Sequence, residues 1–375
     1  MAVWGASALH IGLSGPMAQF SFLCALLMFE GCGVAYFALA VFPKKPLLAI
    51  LAAIALPVSV YNAQIFLNPI QAFAFGYFPA LAGLLINRLR TPVPTLRFGA
   101  ELGLACAGFM MLAETPPVAV YAVLWMGGCI TAAWWAWRTM RATGAGLVLG
   151  LCLGLVLNAW WAYAGYMTLF ASDGAVGQTF LGPLVWSWVD AQASFINLLS
   201  MQGLWLWAYP EYYPWSSVYH SGVLRTSMYL PAGLAMCGVV LTPHRKQAAL
   251  LVSCVFVSMW LAKGYHPPLA AVNGWLYDHV PYFWLFRDPQ GQANITLYVC
   301  LFVLAGLGVH ELLRFMAGSA EHARRNALLM PFAAIILCAA LFLNGFAFIS
   351  GAFIPTYWES GAARMVVSVP RYWYD

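Results

Sequence analysis

The chain has 375 residues, of which 63% are hydrophobic and only 8% are Asp, Glu, Lys or Arg, with a formal net charge of +5. A soluble domain carries about 25% charged residues, so this chain has too few charges to cover a water-facing surface. The positive excess lies in short gaps between apolar segments with no long Lys/Arg run, which speaks against a nucleic-acid binder.

A bilayer solvates apolar side chains, and a helix satisfies its own backbone there. The apolar runs are continuous rather than alternating, which argues against a transmembrane β-barrel. The expected fold is therefore all-α, a polytopic transmembrane helical bundle whose outer loops carry short interfacial helices. A span needs about 20 apolar residues, and on that rule about ten are expected. In chain order they lie near 17–43, 46–66, 69–87, 98–113, 116–137, 144–170, 226–243, 247–263, 292–314 and 327–350. The fourth is short and contains Glu101. Asn68-Pro69 marks the turn between the second and third. Gly146, Gly150 and Gly154 recur every four residues, a spacing that lets a neighbouring helix approach closely. The 17 Trp, 18 Tyr and 24 Phe suit broad interfacial belts. The nine cysteines lie inside apolar segments without CxxC spacing, so they read as small core residues rather than a disulfide framework.

Alternate gaps collect the basic residues: Lys44 and Lys45; Arg88, Arg90 and Arg97; Arg138 and Arg141; Arg245 and Lys246; Arg314, Arg324 and Arg325. The positive-inside rule places these twelve in the cytoplasm and both chain ends outside. The organisation expected is a transmembrane domain over 1–350, with outer loops near 171–225 and 264–291, and an outer tail over 351–375. The chain then begins outside with no span before it, and the expectation is a fragment lacking an upstream helix. No signal peptide is evident at Met1.

Glu30 lies within a span. An ionisable group there is a functional candidate, with a structural hydrogen bond to a neighbouring helix as the alternative. Phe286-Arg287-Asp288-Pro289 stands just before the span near 292. The Arg287 fork suits a phosphate or carboxylate, with Asp288 pairing or positioning it; the alternative is an interfacial anchor reaching for headgroups. His266 and His279 share the outer loop with that motif and are able to act as acid, base or ligand. Glu114, before Thr115-Pro116-Pro117, either faces a cavity or caps the next helix. No HxH or HExxH spacing, nucleophile elbow, Walker loop or dinucleotide fingerprint is present. Carboxylates from separate outer loops are able to hold a divalent cation, the only cofactor entertained.

The segment HPPLAAVNGWLYDHVPYFWLFRDP, followed by an apolar helix ending GLGVHELL, resembles the polytopic membrane glycosyltransferases of the GT-C superfamily, in particular large bacterial proteins related to the mycobacterial arabinofuranosyltransferases. The matching residues are Pro267, Pro268, Phe286, Arg287 and Pro289; the tail pieces IPTYWESGA and VPRYWYD resemble the start of an outer segment in that group. The resemblance implies an enzyme of the bacterial inner (plasma) membrane. It would move a sugar from a polyprenyl-phosphate donor to a glycan or lipid acceptor of the cell envelope on the outer face. It implies that Arg287 contacts the donor phosphate and that an acidic residue of a first outer loop, absent here, acts as base; the substrate contacts expected are Arg287 with Asp288, His266, Glu114 and Arg225. Competing readings are an envelope polysaccharide polymerase or ligase using Arg225, Arg287 and His220, a lipid-linked sugar transporter with broken helices at the midplane, and a membrane scaffold.

Overall fold

The computed structural model describes residues 15–65, 69–112, 127–128, 144–170, 192–204, 207, 214–220, 222–280, 283, 289–317, 335, 338–339 and 341–349. Helix α1 (Gly15–Val41) is followed by α2 (Pro46–Ala55), α3 (Val60–Ile65), α4 (Pro69–Arg90) and α5 (Thr95–Cys106), which tightens into a 3-10 turn over Ala107–Leu112. Then come α6 (Gly144–Phe170) and α7 (Phe195–Leu199), a 3-10 turn over Pro214–His220, and α8 (Gly222–Ser227), α9 (Leu230–Leu241), α10 (Arg245–Ala262), α11 (Ala270–His279), α12 (Pro289–Ala317) and α13 (Phe346–Ile349).

The protein is an all-α, multi-pass membrane protein. Among the described residues seven helical segments are long and apolar enough to cross a membrane, not about ten: Ser21–Val41, Pro46–Ile65, Ile70–Arg90, Gly144–Ala164, Gly222–Leu241, Arg245–Ala262 and Ala293–Ala317. The expected span near 98–113 is corrected. Its α-helix has 12 residues, about 18 Å at the usual rise, well short of a hydrocarbon core of about 30 Å. Glu101 in its middle is held by Arg88 and Arg97. The expected span near 116–137 falls almost wholly, and that near 327–350 half, outside the described residues.

Helix α12 is the axis of the bundle. Every described side chain from Ala293 to Val309 is buried, and α9, α10 and α2 pack around it. Helix α6 is the opposite case. Val148, Leu155, Val156, Trp160, Tyr163 and Tyr166 are all exposed, an apolar surface that only lipid or another chain covers without cost. Its other face is a small-residue seam. Gly146, Gly150 and Gly154 on α6 receive Phe98, Leu102 and Cys106 of α5, while Gly99 and Gly103 of α5 receive Leu149 and Leu153. The four-residue glycine repeat is thus a packing device, as close helix approach in lipid requires. Asn158 locks the seam, donating from Nδ2 to Cys106 O at 2.9 Å and accepting from Trp161 Nε1 at 2.6 Å.

Basic residues from several of the gaps gather at one end of the bundle. Lys45 Nζ lies 2.5 Å from Glu311 Oε1, and Arg314 Nη1 lies 3.3 Å from Glu311 Oε2. Arg90 donates to Ala40 O at 2.6 Å, and the His244 ring stands edge-on to Phe42. Arg88 grips both oxygens of Glu101 at 2.6 and 3.0 Å, and Arg97 adds a third bond at 2.9 Å. The bonds from Arg97 and Arg88 hold the Glu101 carboxyl below the usual carboxylate range. A depressed folded-state pKa contributes stability at neutral pH that disappears as pH falls through it. With about a quarter of the side chain exposed, the contribution is about 1 kcal/mol or less. Glu101→Gln should therefore unfold at a lower temperature than the native protein at pH 7, with the gap closing in acid. A gap that stays constant on acidification would rule this out.

Candidate functional site

Three helices break at about the same depth. Pro57 interrupts the second span between α2 and α3, because its ring supplies no N–H for the carbonyl of Ala53. Met228-Tyr229 interrupts the span made by α8 and α9, with Pro231 just inside α9. Asn344-Gly345 forms a turn between a short helical stretch at 341–343 and α13. In the second span the break lies 10–13 residues from Pro46, about 15–20 Å along the axis. That is close to half of a hydrocarbon core of about 30 Å.

Breaking a helix in lipid frees backbone groups that must find partners, and side chains supply them here. Asn344 Oδ1 accepts from Val60 N at 3.0 Å, and its Nδ2 reaches Ser227 O at 3.5 Å. Tyr219 donates to Asn344 O at 3.1 Å and accepts from Ala347 N at 2.9 Å. The Gly345 Cα packs directly against Val58 O, leaving no room for a side chain. Two residues, Asn344 and Tyr219, thus tie the three breaks to one another.

Beside this junction sits Glu30, fully buried on α1, 9 residues from one end of Ser21–Val41 and 11 from the other. Its Oε2 accepts from Asn62 Nδ2 at 2.8 Å, while that same Nδ2 donates to Pro57 O at 2.6 Å. The structural hydrogen bond foreseen for Glu30 is therefore present at one oxygen. Glu30 Oε1 and Asn62 Oδ1 are buried with no hydrogen-bond partner among the described residues.

A second polar zone lies at the start of α12, directly after the Phe286–Pro289 motif. Gln290, Asn294 and Thr296 are all buried. Both polar atoms of the Asn294 amide are buried without a partner among the described residues. Tyr61 links this zone to the junction below it: its hydroxyl donates to Gln290 O at 3.4 Å, and its ring packs 4.2 Å from that of Tyr298. Tyr298 donates in turn to Leu198 O at 2.8 Å, and Gln64 Nε2 donates to Met201 O at 2.6 Å.

Of the expected substrate contacts, Arg287, Asp288 and Glu114 lie outside the described residues. His266 is half-buried in the turn after α10, where its carbonyl accepts from Lys263 Nζ at 2.6 Å. A cis Pro267-Pro268 bond follows, and Asn273 Nδ2 binds Gly264 O across the turn. Arg225 is exposed on α8, a separate element. His279 stacks on Trp275, with Nδ1 2.9 Å from its carbonyl oxygen. Among the described residues no three His, Cys, Asp or Glu side chains gather where a metal ion could be held. Sequence reading singled out Glu30 but missed Asn62, Asn294, Asn344 and Tyr219. The signals were present as Asn inside apolar runs and as Pro57 in the middle of a span.

Comparison of the chain with family models, with curated proteins and with solved structures gives no match.

Proposed function

We propose that this protein is a membrane glycosyltransferase of the GT-C type, transferring a sugar from a polyprenyl-phosphate donor to an envelope glycan or lipid on the outer face. The basic end of the bundle is then cytoplasmic, by the positive-inside rule, and the start of α12 faces outward in a bacterial inner membrane. The observation that carries the reading is the start of α12. A helix N-terminus offers free N–H groups and the positive end of a dipole, a ready anion site. Here Pro289 opens a 29-residue helix two residues after Arg287, and the buried Asn294 amide, without a partner among the described residues, stands about one turn inside. Arg287 would grip the donor phosphate in a bidentate way, with Asn294 donating to a phosphate or sugar oxygen.

The test is sugar transfer from a synthetic polyprenyl-phosphate donor by the protein in lipid nanodiscs. Arg287→Ala and Asn294→Ala should each lower transfer more than tenfold, consistent with the loss of a charge-assisted bond worth about 1.5–3 kcal/mol. Transfer that survives Arg287→Ala unchanged removes Arg287 from the site.

A second reading, a transporter of a lipid-linked sugar, is favoured by one specific observation: broken helices meeting at half-depth, a feature of transporter binding sites. It predicts movement of labelled polyprenyl-phosphate sugar between leaflets of proteoliposomes without any transfer product.

A further inference from the structure

We infer that Glu30 and Asn62 form a binding site for a single positive charge, a proton or a monovalent metal ion, at mid-depth in the bundle. The inference is independent of the glycosyltransferase reading, because it rests on an imbalance of donors and acceptors at this one place.

Asn62 fixes the imbalance. Both hydrogens of its amide are used, towards Glu30 Oε2 at 2.8 Å and Pro57 O at 2.6 Å. Pro57 O accepts only, so the amide cannot be turned round, and Asn62 Oδ1 is left as an acceptor. Glu30 Oε1 is a second acceptor without a donor among the described residues. Pro57 has no N–H to give the carbonyl of Ala53, and Ala53 O points at Gly31, the residue following Glu30. The C-terminal end of α2, the negative end of its dipole, therefore abuts α1 beside the carboxylate.

Among the described residues the packed elements bring no compensating cation. Helix α2 carries no titratable residue, and α3 brings Tyr61, whose hydroxyl is turned to Gln290 O. Helix α4 brings Tyr77, bonded to Ala105 O at 2.9 Å, and Arg88 and Arg90 in its last turn, engaged with Glu101 and Ala40 O. On α12, Tyr298 is bonded to Leu198 O, and His310, Glu311 and Arg314 lie with Lys45 at the basic end. A carboxylate fully buried at mid-depth, with one of its oxygens and the neighbouring amide oxygen lacking donors among the described residues, is not tolerated as a bare anion. One positive charge supplies what is missing. A proton on Oε1 turns an acceptor into a donor. A monovalent metal ion would take Glu30 Oε1 and Asn62 Oδ1 as oxygen ligands, as unwound backbone and half-helix C-termini do for coupling ions in broken-helix proteins. One carboxylate matches one charge; a divalent ion would leave an uncompensated positive charge.

Two measurements on the full chain in nanodiscs separate the sources. Tm is followed in NaCl, KCl and N-methylglucamine chloride at equal ionic strength and fixed pH, with radiolabelled sodium binding measured alongside. Difference infrared spectroscopy looks for the carbonyl stretch of a protonated, buried carboxylic acid. A metal-ion site gives a saturating, ion-specific rise in Tm and stoichiometric binding, both abolished in Glu30→Gln. A proton site gives an acid carbonyl band that Glu30→Gln removes, with no ion preference. Glu30→Gln should fold, since its amide imitates the neutral acid. If it does not, the two measurements on the native protein stand alone. No ion-specific shift, no bound sodium and no acid band would overturn the inference, for Glu30 would then be a bare carboxylate.

Discussion

Glu311→Ala is expected to destabilise the protein by about 3–5 kcal/mol, the usual consequence of removing one partner from a buried ion pair. Glu311 is 2% exposed and takes Lys45 at one oxygen and Arg314 at the other. Lys45 is itself buried, so the variant leaves an ammonium without its carboxylate beside the cationic Arg314. Arg314→Ala is the internal control. Its side chain is 61% exposed, and an exposed pair is worth about 1 kcal/mol at most. The double variant Lys45→Met with Glu311→Leu should recover most of the loss, because an apolar pair of similar volume carries no desolvation penalty. Thermal unfolding in mild detergent measures all three. Equal losses for Glu311→Ala and Arg314→Ala would mean that the buried pair does not hold α12 to the α1–α2 turn.

Gly308→Ala is expected to be comparably damaging, for a steric reason. A Cβ at Gly308 would fall on Leu234 O, and one at Gly238 would lie 2.6 Å from Leu304 O and 2.8 Å from Gly308 N. Helices α9 and α12 therefore touch backbone to backbone. A side chain would have to yield at a main-chain carbonyl, which cannot change rotamer, so the helices must separate. Overpacking typically costs about 1–3 kcal/mol, and separating the axial helix from a neighbour belongs at the top of that range or above. Gly233→Ala on the same α9 has nothing within 4 Å of its Cβ. It should be neutral or stabilising by up to about 1 kcal/mol, from helix propensity alone. Matching Tm values for the two variants would disprove the close approach.

These two sites differ in how far they could be read from sequence. The basic residues at 44–45, 88–97, 245–246 and 314 stood out by their alternation along the chain, and the structure gathers Lys45, Arg88, Arg90, Arg97 and Arg314 at one end of the bundle. That Glu311 would sit between Lys45 and Arg314 was not readable. An ion pair 266 residues apart depends on which helices are neighbours, and periodicity reports only that a helix exists. The glycines show the same division. The repeat at 146, 150 and 154 announced itself by spacing, whereas Gly238 and Gly308 are single residues whose meaning comes only from facing each other.

Hydropathy misleads at 98–113 because it weighs composition without asking whether the backbone continues as a helix. Residues 98–113 are apolar enough on average, yet the α-helix stops at Cys106 and Glu101 is drawn to two arginines. Hydropathy erred in the other direction at 46–66 and 226–243, which read as unbroken spans although Pro57 and Met228-Tyr229 interrupt the helices there.

The sequence by itself determined the solvent of this protein and its class of fold. A chain with 8% charged residues in long apolar runs has no water-soluble alternative, and each helix meets its backbone needs locally. Only the tertiary structure decided where the polar side chains are spent. Glu30, Asn62 and Asn344 are scattered singly along the chain, and each looks like an isolated exception to an apolar rule. They converge because three helices break at one depth, and freed backbone groups in a dry interior draw in whatever hydrogen-bonding side chains the neighbouring helices bring to that level. The choice of neighbours is a property of packing between distant segments, which no local pattern in the chain encodes.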